Sequence, residues 1–138
     1  MREIKFRAWD KETEKMLMPD SNSDGEHIWQ FNGNGDIVIL AEGTKWKEGG
    51  GETYEETGFY PIDCALMQFT GLTDKNGKEI FEGDVLSNIV ARWVVVFNRG
   101  CFCHQMVGRP QNPTELALRS LVGGEIIGNI YENPELLK

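Results

Sequence analysis

The sequence predicts a mainly β protein, either a small SH3-like barrel or packed antiparallel sheets of hairpins, with at most one or two short helical turns. Three observations carry this. The 138 residues include 16 glycines, and a compact chain spends glycine on turns. Apolar and polar residues alternate in short runs, the period of a strand with one buried face. Asn-Gly pairs at Asn32-Gly33, Asn34-Gly35 and Asn76-Gly77 separate such runs, and these pairs tolerate the positive φ of tight hairpin turns.

Ile4, Phe6 and Ala8 alternate with Lys5, Arg7 and Trp9. A polar turn over 10–14 leads to a return strand at Lys15-Met16-Leu17-Met18, which Pro19 stops. Ile28-Trp29-Gln30-Phe31 and Asp36-Ile37-Val38-Ile39-Leu40 flank the Asn-Gly-Asn-Gly run as a second hairpin. Glu42 to Gly58 contains Gly49-Gly50-Gly51 and little apolar content beyond Trp46 and Tyr54, so a long mobile loop is expected over 42–60. Leu66–Leu72 and Lys78–Phe81 read as strands around a turn at 73–77. Glu82-Gly83-Asp84 turns into a strand over 85–90. Arg92–Phe97 and Cys101–Val107 form a further hairpin. Thr114–Leu121 is the one plausible helix of two turns, although a strand also explains it. Glu125–Tyr131 is the last strand. Asn133-Pro134 reads as an N-cap followed by proline at the first helical position, opening a closing turn.

The length suits one domain over residues 1–138. Net charge is −8, which repels phosphate backbones at long range and disfavours generic nucleic-acid binding. The charge is uneven: Arg2, Lys5, Arg7, Lys11 and Lys15 make the start basic, and acid gathers at Asp20, Asp24, Glu26, Glu48, Glu52, Glu55 and Glu56. Three cysteines, two of them two residues apart, do not make a secreted disulfide framework and imply reduced thiols in a cytoplasmic protein. No apolar run is longer than the five residues of Trp93–Phe97, far short of a membrane span, so no membrane association is expected.

Three stretches together resemble the YopX family of bacteriophage and prophage proteins. They are Arg2-Glu3-Ile4-Lys5-Phe6-Arg7-Ala8-Trp9-Asp10, the central run from Leu66 through Gly77 to Val85, and Ile126 through Asn133-Pro134 to Leu137. The resemblance implies a small phage-encoded accessory protein in the cytoplasm of the host cell, and it brings no catalytic residue with it. The matched residues are turn glycines, strand aromatics and caps, which reads as a folding signature. Segments 19–60 and 99–122 match nothing in that pattern, so a specialised site is expected there.

Each candidate site in the sequence has a plainer explanation. Asp20-Ser21-Asn22-Ser23-Asp24-Gly25 reproduces the first half of a calcium loop, but the twelfth position, which needs a bidentate Glu, is Phe31. Cys101-Phe102-Cys103-His104 offers two thiols and an imidazole. On a strand the thiols share one face and His104 points to the other, with Cys64 and His27 far off in sequence; buried, unreactive cysteines explain the motif better than zinc. A thiol nucleophile needs a base within reach, and adjacent Cys103 and His104 lie on opposite faces. Trp9, Trp29, Trp46 and Trp93 with Arg92 and Arg99 suit base stacking on a barrel face, although strand aromatics are more often core. We therefore expect no catalytic, cofactor-binding or metal-ligating residues. The sequence favours a non-enzymatic module that binds a protein partner or itself, with a single-stranded nucleic-acid-binding barrel as the alternative.

Overall fold

The computed structural model describes residues 3–19, 27–109 and 123–138. Among these it is mainly β, with antiparallel pairing throughout and one 3₁₀ turn. The contacts gather into two compact units, Met1–Arg7 with Leu66–Lys138, and Ala8–Ala65. The two strands β1 (Phe6–Asp10) and β6 (Cys64–Thr73) each run from one unit into the other.

In the unit Ala8–Ala65, the end of β1 pairs with β2 (Lys15–Leu17), Ala8 opposite Leu17 and Asp10 opposite Lys15. Asp10 holds the intervening turn. Its carboxylate accepts from the amides of Glu12 (2.9 Å) and Thr13 (3.3 Å) and from Thr13 Oγ1 (2.7 Å). Three further strands follow, β3 (His27–Phe31), β4 (Ile37–Gly49) and β5 (Glu52–Pro61), in the spatial order β3-β4-β5. The β3–β4 turn is shaped by Asn32, whose Oδ1 accepts from the amides of Asn34 and Asp36, both at 2.9 Å. Ala8, Leu17 and Ile39 form the core, with Trp29, Ile62 and Cys64 packed against them.

Residues 42–60 are not the loop expected from their glycines. They are strands in continuous register, from Ala41 opposite Tyr60 to Gly49 opposite Glu52. Gly50 and Gly51, at φ 64° and 88°, make the tight two-residue turn between them, a conformation that glycine takes at no steric cost. The expectation failed because both faces of this ribbon carry polar residues, so no apolar period marked it.

In the other unit, Leu66–Thr73 of β6 pairs with β7 (Glu79–Phe81), Phe69 opposite Phe81. The strands β8 (Asp84–Ser87), β9 (Arg92–Asn98), β10 (Cys101–Met106) and β11 (Glu125–Asn129) form a sheet of order β10-β9-β8-β11. Ile80, Leu86 and Val95 are completely buried between these layers, joined by Leu72, Trp93 and Ile126. β8 stops at Ser87, short of the expected Val90, because Asn88 Oδ1 accepts from the amides of Val90 and Ala91 and starts a turn. Asp74 ties the β6–β7 turn to a distant strand. Its Oδ1 accepts from the amides of Asn76 (2.8 Å) and Lys78 (2.9 Å), and its Oδ2 from the amide of Ile126 in β11 (3.1 Å).

Among the described residues of this unit, Asp84 is the most deeply buried charge. Its Oδ2 accepts from the Phe81 amide (2.8 Å) and its Oδ1 from Arg7 Nη2 (2.6 Å), and the Arg7 guanidinium lies 4.7 Å from the centre of the Phe81 ring. Burial pushes the Asp84 carboxyl above its ordinary value, against the pull of Arg7 and the Phe81 amide.

At the C-terminus, Pro134–Leu137 is the 3₁₀ turn, but Asn133 does not cap it through its side chain as expected. Asn133 Oδ1 instead accepts from the Asn129 amide (3.3 Å), and Asn129 Oδ1 accepts from the amides of Tyr131 and Glu132. The candidate helix at 114–121 and the Asp20–Gly25 motif lie outside the described residues.

Removing one member of the Arg7–Asp84 pair strands the other in the interior. Arg7→Ala and Asp84→Ala are each expected to destabilise the fold by about 3–5 kcal/mol, read by urea unfolding; a change under about 1 kcal/mol would assign the pair no structural role. For Asp74, burial would raise the carboxyl, but the amides of Ile126, Lys78 and Asn76 together outweigh it and hold it below the ordinary value. A lowered folded pKa stabilises above the unfolded value and is lost as pH falls through the folded one. Asp74→Asn should therefore flatten the loss of stability in the acid range below the ordinary carboxylate value, and leave the slope near neutrality unchanged.

Candidate functional site

β4 and β5 extend well beyond the strand that covers them. β3 pairs with β4 between Ile37 and Ala41, so from Glu42 onward β4 has β5 as its neighbour and the pair continues as a two-stranded arm. Such a ribbon is marginal in water by itself, and its two faces solve the problem differently.

One face is covered by the arm's own side chains. The Tyr60 ring lies across Gly43 and Gly58, and the Tyr54 ring lies over Gly49. Aromatic rings shielding cross-strand glycines restore the packing that a glycine lacks. Lys45 Nζ sits 4.1 Å from the centre of the Tyr60 ring, a cation–π contact. Lys47 pairs with Glu56, and Tyr60 Oη donates to the Glu56 carbonyl at 3.2 Å. The hydrogen bond to Glu56 raises Lys47, and the same bond lowers Glu56. Burial, followed by the Glu56 charge, raises the Tyr60 hydroxyl.

Among the described residues the other face has no such cover. By strand alternation it carries Glu42, Thr44, Trp46 and Glu48 from β4 and Phe59, Thr57, Glu55 and Thr53 from β5. Thr44 and Thr57 share a hydrogen bond at its centre (3.3 Å). Trp46 is 68% exposed and Phe59 44%. Glu42, Glu48 and Glu55 surround them, and among the described residues no lysine or arginine pairs with any of the three. Large exposed aromatics framed by charge make this face a candidate contact surface.

The remaining sequence candidates have local structural settings. Trp29 packs against the Ile39 core, while Trp93 packs against the Ile80 core and meets the His104 ring edge-on at 6.2 Å. Arg92 donates to the Lys138 carbonyl (2.9 Å), and Arg99 occupies a left-handed turn position at φ 49°. Trp46 lies in the acidic arm. Cys101 and Cys103 do share a face, their sulfurs 3.5 Å apart, and His104 is on the other side of β10. Burial lowers His104 and keeps it neutral near pH 7. Burial, then the Asp63 charge, raises the Cys64 thiol, so that thiol is not activated. Among the described residues no three His, Cys, Asp or Glu side chains converge on a metal position, and no helix is long and apolar enough to cross a membrane.

The sequence profile of the YopX protein family matches residues 5–138. The chain belongs to the YopX family. No curated protein sequence matches it. Among solved structures it is similar to protein EF1440 from Enterococcus faecalis, at 28% identity over 100% of both chains with a TM-score of 0.63. In this YopX chain the residues that carried the resemblance are structural. Asp74, Asp84 and Asn129 organise backbone amides, Gly83 at φ 82° makes the turn into β8, and Arg7 neutralises Asp84. The arm lies within the segment 19–60, which those residues leave out. Its signal in the sequence was the Gly50-Gly51 turn flanked by Tyr54, Tyr60 and Trp46.

If the covered face is what keeps the arm ordered, Tyr60→Ala should speed amide hydrogen exchange across 42–60, read by mass spectrometry. Tyr60→Phe keeps the ring over both glycines and should stay close to the original protein. Equal exchange in all three would show that the ring does not order the arm.

Proposed function

We propose that this YopX chain is a phage-encoded accessory protein that acts in the host cytoplasm by protein contact and not by catalysis, with the uncovered face of the β4–β5 arm as its contact surface. The observation that carries this is the pair Trp46 and Phe59, exposed on a ribbon whose opposite face is already satisfied. Burying both rings would remove a large apolar area from water, at roughly 25 cal/mol per Å², and aromatic anchors of this kind dominate interface energetics.

The charge on that face argues for what covers it. Glu42, Glu48 and Glu55 accompany the two rings, and a second copy docked face to face would set these carboxylates against their own equivalents. A cationic protein segment with an apolar anchor fits better, since it brings charges opposite to those of the rim. Self-association through the arm is therefore the disfavoured alternative.

The test places a photo-crosslinking amino acid at Thr53, exposed on the same face, in host cells and compares partners in the presence and absence of Glu42→Gln, Glu48→Gln and Glu55→Gln. A discrete adduct with a basic protein, weakened by the three substitutions and by added salt, supports the proposal. The Trp46→Ser/Phe59→Ser double variant should abolish the association while its melting temperature remains near that of the original protein. A self-adduct, or a partner retained by the double variant, would overturn it.

A further inference from the structure

The β4–β5 arm has an open edge as well as an uncovered face. In the order β3-β4-β5 the outer strand is β5, and among the described residues no strand pairs with its far side. An antiparallel ladder alternates residues that exchange backbone bonds with residues whose amides and carbonyls point away. The alternation is set at the base of the ribbon, where the Ile62 amide donates to the Ile39 carbonyl at 3.0 Å, and the register carries it outward without a break. Tyr60, Gly58, Glu56 and Tyr54 therefore bond to β4. Phe59, Thr57, Glu55 and Thr53 turn their amides and carbonyls to the open edge, and all four are exposed. These are also the residues whose side chains lie on the uncovered face. Pro61, opposite Leu40, has no amide and ends the row. Natural edge strands are commonly blunted by lysine, proline or a bulge, and over 52–60 β5 has none of these.

Resting on the reading of that face as a contact surface, we propose that the partner binds by strand addition: an extended cationic segment pairs antiparallel with the open edge of β5. Main-chain bonds to Phe59, Thr57, Glu55 and Thr53 supply affinity, and alternate side chains of the added strand supply specificity. In that register an apolar residue falls opposite Phe59, a β-branched one opposite Thr57, and a lysine or arginine opposite Glu55. The segment thus reads apolar-x-Thr-x-Lys from its N-terminal end. A second copy of β5 fits this edge less well. The strand carries Glu52, Glu55 and Glu56 and no lysine or arginine, so a copy would align these carboxylates with their equivalents in one ladder, where like charges oppose pairing.

The probe is a short synthetic peptide with valine, threonine and lysine at alternate positions, added to the full-length protein and followed by fluorescence anisotropy and residue-resolved amide exchange. Saturable binding at submillimolar peptide is expected, with new protection at the amides of Thr53, Glu55, Thr57 and Phe59 and little change at those of Tyr54, Glu56, Gly58 and Tyr60. N-methylation of the peptide's threonine removes a donor aimed at β5 and should weaken binding at least about fivefold, whereas N-methylation of a residue between the alternate positions should be tolerated. Glu55→Lys should weaken the lysine peptide and favour its glutamate counterpart. No saturable binding, or equal loss from both N-methylated peptides, would overturn the inference. Concentration-dependent protection of the same four amides without peptide would also overturn it, by giving the edge to a second copy. Binding that Trp46→Ser/Phe59→Ser abolishes, with no β5 amide gaining protection, would overturn strand addition and leave the face as a contact surface. Binding and protection that both persist in that double variant would uphold strand addition and overturn the role given to the two rings.

Discussion

The unit that contains both chain termini is organised around one buried ion pair, Arg7 with Asp84. Asp84 sits at the first position of β8, directly after the Gly83 turn, and takes the Phe81 amide as well as the Arg7 guanidinium. Three parts of the chain thus depend on one carboxylate: the N-terminal strand, the end of β7 and the start of β8. Burial works against the charged form, as the raised carboxyl shows, so the pair is poor evidence of net stabilisation. Its value lies in register. An Arg–carboxylate contact has a defined geometry, and once Arg7 is bound to Asp84 the side chains of β1 have one way to alternate.

The same logic recurs at smaller scale. Asp10, Asp74 and Asn129 each use a short polar side chain to collect two or three backbone donors at a turn, which satisfies amides that the strands leave unpaired. Asp74 also reaches Ile126 and so sets where β11 runs. These residues explain why a family can be recognised from turns without any conserved chemistry being implied. They determine how the chain folds, and the surface built on that frame is free to specialise.

The arm is where this chain departs from the economy of the rest. Its glycines at 43, 49 and 58 leave room for tyrosine rings on one side, and the other side carries Trp46 and Phe59 exposed. A ribbon that spends aromatics to order one face leaves Trp46 and Phe59 in water on the other, and this asymmetry is what motivates the proposed contact surface.

Most of the fold was readable in the sequence because hairpins are local. Asn32 specifies a turn by collecting backbone amides, Gly77 and Gly83 do so by taking positive φ, and alternation around them sets which side chains go inward, as at Ala8, Ile39 and Val95. The strand alternation also placed Cys101 and Cys103 on one face and His104 on the other. What the sequence by itself could not determine were relations between distant residues. Arg7 finding Asp84, Asp74 reaching Ile126, Asn133 turning back to Asn129, and the arm emerging from a stretch that resembled a loop all depend on where separate strands meet. A turn is decided by the conformational preferences of neighbouring residues, whereas a buried partner or an uncovered face exists only once the chain has packed.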